Sequence, residues 1–228
     1  LYFGDLYRGQ AYSTEYFTTG WVVDDRVESL GHRRWILDPF LKYISYGRVD
    51  GNGVSAAALK VIHDESQDIT KTNLNFVAYP YGDYPDRLFA KSWYLSFNAI
   101  VDRTSGWGNG QKNINYKKAK IEVRDPKGRK LGVSSIKTNY EGYGIPNIIQ
   151  WKTRGLANNV EYTVTIKNVT VNGKPKDYTY KFRLLGRQKV QERKSQKEDP
   201  KENSKNKKKN KGKNKKKKGL KFFGVEID

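Results

Sequence analysis

Positions 32 and 63 hold the chain's two histidines, so chemistry that needs a nitrogen base or ligand near neutral pH has to run through one of them. His32 sits in Gly31-His32-Arg33-Arg34, with Asp24, Asp25 and Glu28 just upstream and Glu15 further back. A neutral imidazole beside a carboxylate can take a proton or bind a divalent cation such as Zn. His32 is therefore the candidate general base and the candidate metal ligand. Arg33 and Arg34 are candidates for an anionic ligand. Strand alternation would send them to opposite faces, with one paired to Asp24, Asp25 or Glu28. His63, in Val61-Ile62-His63-Asp64, reads as the polar end of a strand, and its separation from His32 matches no zinc spacing.

Other chemistries are excluded by residue type. The chain has no cysteine, which removes thiolate nucleophiles, Cys-ligated zinc and disulfides. It also lacks a Gly-x-Ser-x-Gly elbow, a phosphate-binding P-loop and a dinucleotide fingerprint. Tyr79, Tyr81 and Trp93, in the aromatic stretch 76–97, are candidate ligand-binding rings able to stack on sugars or bases.

These residues need elements to hold them. Asp24 or Asp25 can cap a short helix that Gly31 ends. Arg33–Asp38, Tyr43–Val49 and Ser55–Asp64 read as three strands of an antiparallel sheet, turning at Asp38-Pro39 and Gly51-Asn52-Gly53. Residues 76–97, broken by prolines, read as an ordered loop over that sheet. Beyond it, period-two patterns in Lys118–Asp125, Asn147–Thr153, Val160–Val171 and Lys176–Leu185 predict a β-sandwich, with Tyr162, Val164 and Ile166 facing its core.

Charge is uneven along the chain. Of the formal +20, residues 187–228 contribute seventeen Lys/Arg against six Asp/Glu. With almost no apolar residues between 187 and 218, disorder is expected there, and the lysines would attract an anionic cell-wall or surface polymer. No apolar run is long enough for a membrane-spanning helix. Leu1 reads as an interior point of a longer precursor.

The stretch GWVVDDRVESLGHRRWILDP (20–39), the glycine of SYGRV, AALKVIHD, and FVAYPYGDYPDRLFAKSWYLSF (76–97) together resemble bacterial members of the CAP superfamily of cysteine-rich secretory, antigen 5 and pathogenesis-related 1 proteins. The resemblance covers residues 1–97. It implies an α+β fold class: a partial α-β-α sandwich (1–97), an Ig-like β-sandwich (98–186) and a disordered basic tail (187–228). It also implies an extracellular or cell-surface location and a pocket of two histidines and two acids. In that pocket His32 matches one histidine, and Glu15, Asp24, Asp25 or Glu28 would supply an acid, with Glu28 and Asp25 the implied catalytic candidates beside His32. The expected role is binding of a small ligand or protein, with the tail as tether. A metal-dependent hydrolase completed by upstream residues is the alternative, and non-specific nucleic-acid binding through the tail a weaker one.

Overall fold

The computed structural model describes residues 2–5, 12–25, 27–89 and 91–186. The lysine-rich tail, with its expected disorder and tethering role, lies outside the described residues. In chain order the elements are β1 (Tyr2–Asp5), α1 (Thr14–Val23), α2 (Gly31–Ile36), β2 (Ser45–Gly51), β3 (Val54–Lys60), β4 (Phe76–Tyr79), β5 (Gly82–Pro85), β6 (Leu95–Ala99), β7 (Ile114–Asn115), β8 (Lys120–Arg124), β9 (Gly132–Asn139), β10 (Ile148–Arg154), β11 (Glu161–Val171) and β12 (Lys174–Leu185).

Two-residue turns fix the hairpins. Asn52-Gly53 and Asn172-Gly173 hold positive φ at both positions (50° and 75°, 49° and 79°), the turn whose twist matches that of the flanking strands. They set the registers Gly51↔Val54 and Val171↔Lys174. Three sheets result: β1-β3-β2, β4-β6-β10-β9, and β5-β12-β11, with β7 and β8 both paired to β11.

The second and third sheets stack as a β-sandwich. Alternation places Tyr162, Val164 and Ile166 of β11 and Tyr178, Tyr180 and Phe182 of β12 in one core with Leu95, Phe97, Ile149 and Trp151 of the facing sheet. The outer face of β4-β6-β10-β9 is covered by the helical segment. Val22 of α1 reaches the sandwich core, and the Gln150 side chain donates to the Glu28 carbonyl at 2.8 Å. On its far side α1 places Phe17 and Trp21 against Ala57 of β3. The layers therefore run sheet, sheet, helices, sheet.

This mostly-β architecture corrects the expected α-β-α sandwich: the described helices are two short ones, lying between the three-stranded sheet and the β-sandwich. Three local expectations change with it. Arg33–Asp38 was expected as a strand but is mostly α2, and its place in the three-stranded sheet is taken by β1, antiparallel to β3. Gly31 starts α2 instead of ending a helix. Residues 76–97 contain β4, β5 and part of β6: β4 pairs with β6, β6 with β10, and β5 runs parallel to β12, so the segment belongs to the sandwich. The prolines that argued for a loop sit at strand ends, Pro80 after β4 and Pro85 closing β5, where a missing N–H costs little.

Two arginines from α2 join the layers. Arg33 is 1% exposed. Its Nε donates to Val22 O at 2.7 Å, its Nη2 to Val23 O, and its Nη1 to Tyr94 O at 2.9 Å and Ser96 Oγ at 3.2 Å. Val22 and Val23 end α1, so the cation satisfies orphan carbonyls at the negative end of that helix. Arg34 reaches the other way, to Asn139 Oδ1 at 2.6 Å, Glu141 O, and Ile145 O at 3.0 Å. Gly144 passes so close that a Cβ there would lie 2.5 Å from Arg34 O. Burial pulls the pKa of both guanidiniums down, that of Arg34 to about 10.

Truncating Arg33 to Ala would strand three buried carbonyls, and we expect a loss of about 3–5 kcal/mol in denaturant unfolding. A second expectation concerns Asp38, which follows α2. Burial pushes its carboxyl from 3.8 up to about 6, against the opposing pull of the Phe40 N–H. A raised acid favours the folded state below its unfolded pKa, and that contribution is lost as pH rises through the folded value. Asp38→Asn keeps the acceptor for Phe40 and should flatten the stability slope between these two pH values, read by denaturant titration at each pH.

Candidate functional site

Asp24 builds the site. It ends α1 in a left-handed conformation (φ 52°, ψ 33°), its N–H bonding to Gly20 O at 2.9 Å. From there the carboxylate turns onto the first turn of the next helix. Oδ2 accepts the backbone N–H of His32 at 2.9 Å and of Arg33 at 3.3 Å, capping α2 from outside its own turn. Oδ1 lies 2.9 Å from His32 Nδ1. A carboxylate only accepts, so Nδ1 carries the proton and Nε2 the lone pair in the neutral ring.

The two side chains differ sharply in access. That of Asp24 is 2% exposed and that of His32 45%. The imidazole forms part of the wall of a small half-open hollow of about 40 Å³, with Trp21 of α1, Trp35 and Ile36 of α2, Leu59 of β3 and Val61 just after it. Helical geometry explains the grouping: His32, Trp35 and Ile36 are spaced i, i+3, i+4 and share one face of α2, while Arg33 and Arg34 point into the protein. The site offers one oriented nitrogen at the rim of an apolar, aromatic-walled pocket. It can accept a hydrogen bond, take a proton or coordinate one cation position.

The other candidates lie elsewhere. Asp25 is exposed. Glu28 is exposed too, paired with Lys137 at 2.7 Å, which holds its carboxyl below the usual range. Glu15 pairs with Arg87. Of the four acidic residues considered, Asp24 is the one that meets His32. Arg33 and Arg34 are buried in protein contacts, and neither forms the expected ion pair with an upstream acid. Tyr79 is 1% exposed and lies beneath the Arg33 guanidinium, 4.1 Å from ring centroid to carbon, while its hydroxyl donates to Leu88 O at 2.5 Å. Tyr81 packs with Phe76 and Tyr180, and Trp93 sets its ring at 77° to Phe89. His63 stands beside Tyr43, ring centroids 6.3 Å apart. Among the described residues no three His, Asp or Glu side chains gather as a metal-binding group.

Sequence reasoning did not find Trp21, Trp35, Leu59 and Val61. Trp35 lies at i+3 from His32, but Trp and Ile favour strands by propensity, and Trp21, Leu59 and Val61 join the hollow only through the fold.

No protein-family model matches the chain, and no curated protein does either. One solved structure, a DUF4426 family protein from Pseudomonas aeruginosa PAO1, is similar over 48% of this chain and 86% of its own, at 12% identity and a TM-score of 0.30. The CAP resemblance is thus corrected: the α-β-α fold it implies is not formed and no family model supports it. No helix among the described residues is long and apolar enough to cross a membrane.

Because Asp24 serves fold and site together, its removal should act on both. We expect Asp24→Ala to lose about 2–3 kcal/mol, combining a lost cap with a lost charged hydrogen bond. His32→Ala, with its ring half in water, should cost under about 1 kcal/mol. Paired denaturant unfolding curves check this ordering; equal losses would show that the carboxylate does not cap α2.

Proposed function

We propose that the chain is a binding protein, in which the aromatic-walled hollow takes a small ligand and His32 Nε2 makes the orienting polar contact. The observation that carries this reading is a half-exposed imidazole, held in one orientation by Asp24, at the rim of an apolar, aromatic wall. Both oxygens of Asp24 are occupied by His32 and α2, so it fixes the imidazole instead of serving as a second reactive group. A hollow lined by indole and aliphatic surface with one placed polar atom is the usual composition of a small-ligand site. The reading extends to residues 187–218, whose lysines would hold the protein near an anionic polymer by charge.

Trp21 and Trp35 provide the readout for the pocket. Screening soluble cell-wall fragments, amino acids and short peptides by tryptophan fluorescence should give saturable responses that His32→Ala weakens at least about tenfold, the loss of one well-placed hydrogen bond in a desolvated site. Turnover of ester or peptide substrates that vanishes with His32→Ala would replace binding by hydrolysis. For the tail, cosedimentation with anionic cell wall should fall steeply between about 50 and 300 mM salt and disappear on deletion of residues 187–218. Binding that survives the deletion would assign the contact to the folded part.

A further inference from the structure

Sheet edges in this molecule are handled in two ways. In the sandwich, the edge strands β4 and β5 are four residues long and bounded by Pro80 and Pro85. Edge strand β9 carries a register irregularity opposite Gln150 and Lys152 and a positive φ at Ser135. These are the usual devices against strand addition. β2 has none of them. It is a regular seven-residue strand bonded to β3 along one side, with no proline, lysine or bulge, and six of its seven residues are exposed.

The hairpin fixes which groups that edge presents. A two-residue turn makes Gly51↔Val54 a hydrogen-bonded pair, and the type alternates along an antiparallel ladder. Ser45, Gly47, Val49 and Gly51 therefore direct their N–H and C=O to β3, while Tyr46, Arg48 and Asp50 direct theirs outward. An antiparallel partner strand must match those outward groups.

A second copy of β2 does so in one favoured register. With Val49 opposite Val49 on a two-fold axis, Arg48 of each chain faces Asp50 of the other, both hydrogen-bonding positions, and Gly47 faces Gly51 without side chains to clash. Shifting the strand by two positions either way puts Arg48 opposite Arg48 or Asp50 opposite Asp50 on the axis. Within one chain Arg48 Nε already meets Asp50 Oδ2 at 2.9 Å, so both charges lie on the face where the cross-chain pair would form. Val49, 67% exposed, is on the opposite face and gains its mate as cover.

We propose that β2 is a self-association edge, joining two copies through Arg48–Asp50 pairs into a continuous six-stranded sheet. The contact consists of a few main-chain hydrogen bonds, the charge pairs and one valine pair, which makes a weak and concentration-dependent dimer.

Sedimentation of the full chain from about 5 to 500 µM should show the mass moving from monomer toward dimer, a range suited to such a contact. Arg48→Asp or Asp50→Arg alone should raise the dimer dissociation constant at least about tenfold by placing like charges opposite each other. The doubly reversed chain should recover it. A second measurement is independent of charge: the chain has no cysteine, so Val49→Cys introduces one thiol. On the axis its Cα would lie about 4.5 Å from its mate, within disulfide reach. Oxidation should crosslink Val49→Cys rapidly and leave Val54→Cys, exposed but off the axis, monomeric. A monomer throughout the range, a reversed pair that does not recover, or equal crosslinking at both positions overturns the proposal.

Discussion

A buried guanidinium sets the terms for the first half of the chain. Taking a charge out of water costs several kcal/mol unless every side of it is met. Arg33 is met by two carbonyls closing α1, a carbonyl and a hydroxyl of the β6 region, and the face of Tyr79. Those acceptors exist together only if α1 stops at Val23, the chain reverses, and α2 lies across the sandwich sheet at Tyr94. The arginine thus converts a local helix end into a long-range position, and the same charge holds the helices against a sheet formed sixty residues later.

The exposed histidine follows from that burial. Successive residues on a helix are about 100° apart, so a helix that sends Arg33 and Arg34 into the protein turns His32 toward water. Asp24 completes the logic. A left-handed residue at the end of α1 aims its carboxylate at the His32 and Arg33 N–H groups in the first turn of α2, and the ring of His32 rises beside them. Site geometry and helix initiation are therefore one hydrogen-bond set. Any ligand meeting Nε2 would meet a ring whose orientation is fixed by the fold and not by the ligand.

The sandwich was largely legible because its signals are local. In β11 and β12 the period-two pattern and the Asn-Gly turn specify register and face together, and Tyr162, Val164 and Ile166 are buried as the alternation requires. The helical segment was not legible, for the opposite reason. Trp35 and Ile36 favour strands by propensity, and what makes Gly31–Ile36 helical is a cap supplied eight residues earlier together with arginine contacts up to 111 residues away. No window around His32 contains that information. For the site, residue type marked the histidine as a candidate, but Glu28 and Asp25, the acids set beside it, lie elsewhere; that Asp24 is the acid it meets is decided by the fold. The family resemblance failed at the level of architecture, where a motif of a few residues has least to say about the layers around it.

The aromatic stretch from 76 to 97 shows how packing redistributes functional candidates. Rings crowded in sequence suggest a stacking platform, but a two-layer sandwich needs large side chains to span the gap between its sheets. Phe76, Tyr81 and Phe97 meet Tyr178 and Tyr180 there, and Tyr79 is committed to Arg33. Tyr79, fully buried, cannot also meet a ligand, while Tyr81 and Trp93 are half-buried against their neighbours. The indoles of Trp21 and Trp35 are different, since they wall a hollow that is open on one side and carries an oriented imidazole at its rim. Aromatic surface gains binding significance there from an adjacent polar atom whose own partner is already fixed, and that combination favours the His32 hollow over the richer aromatic run.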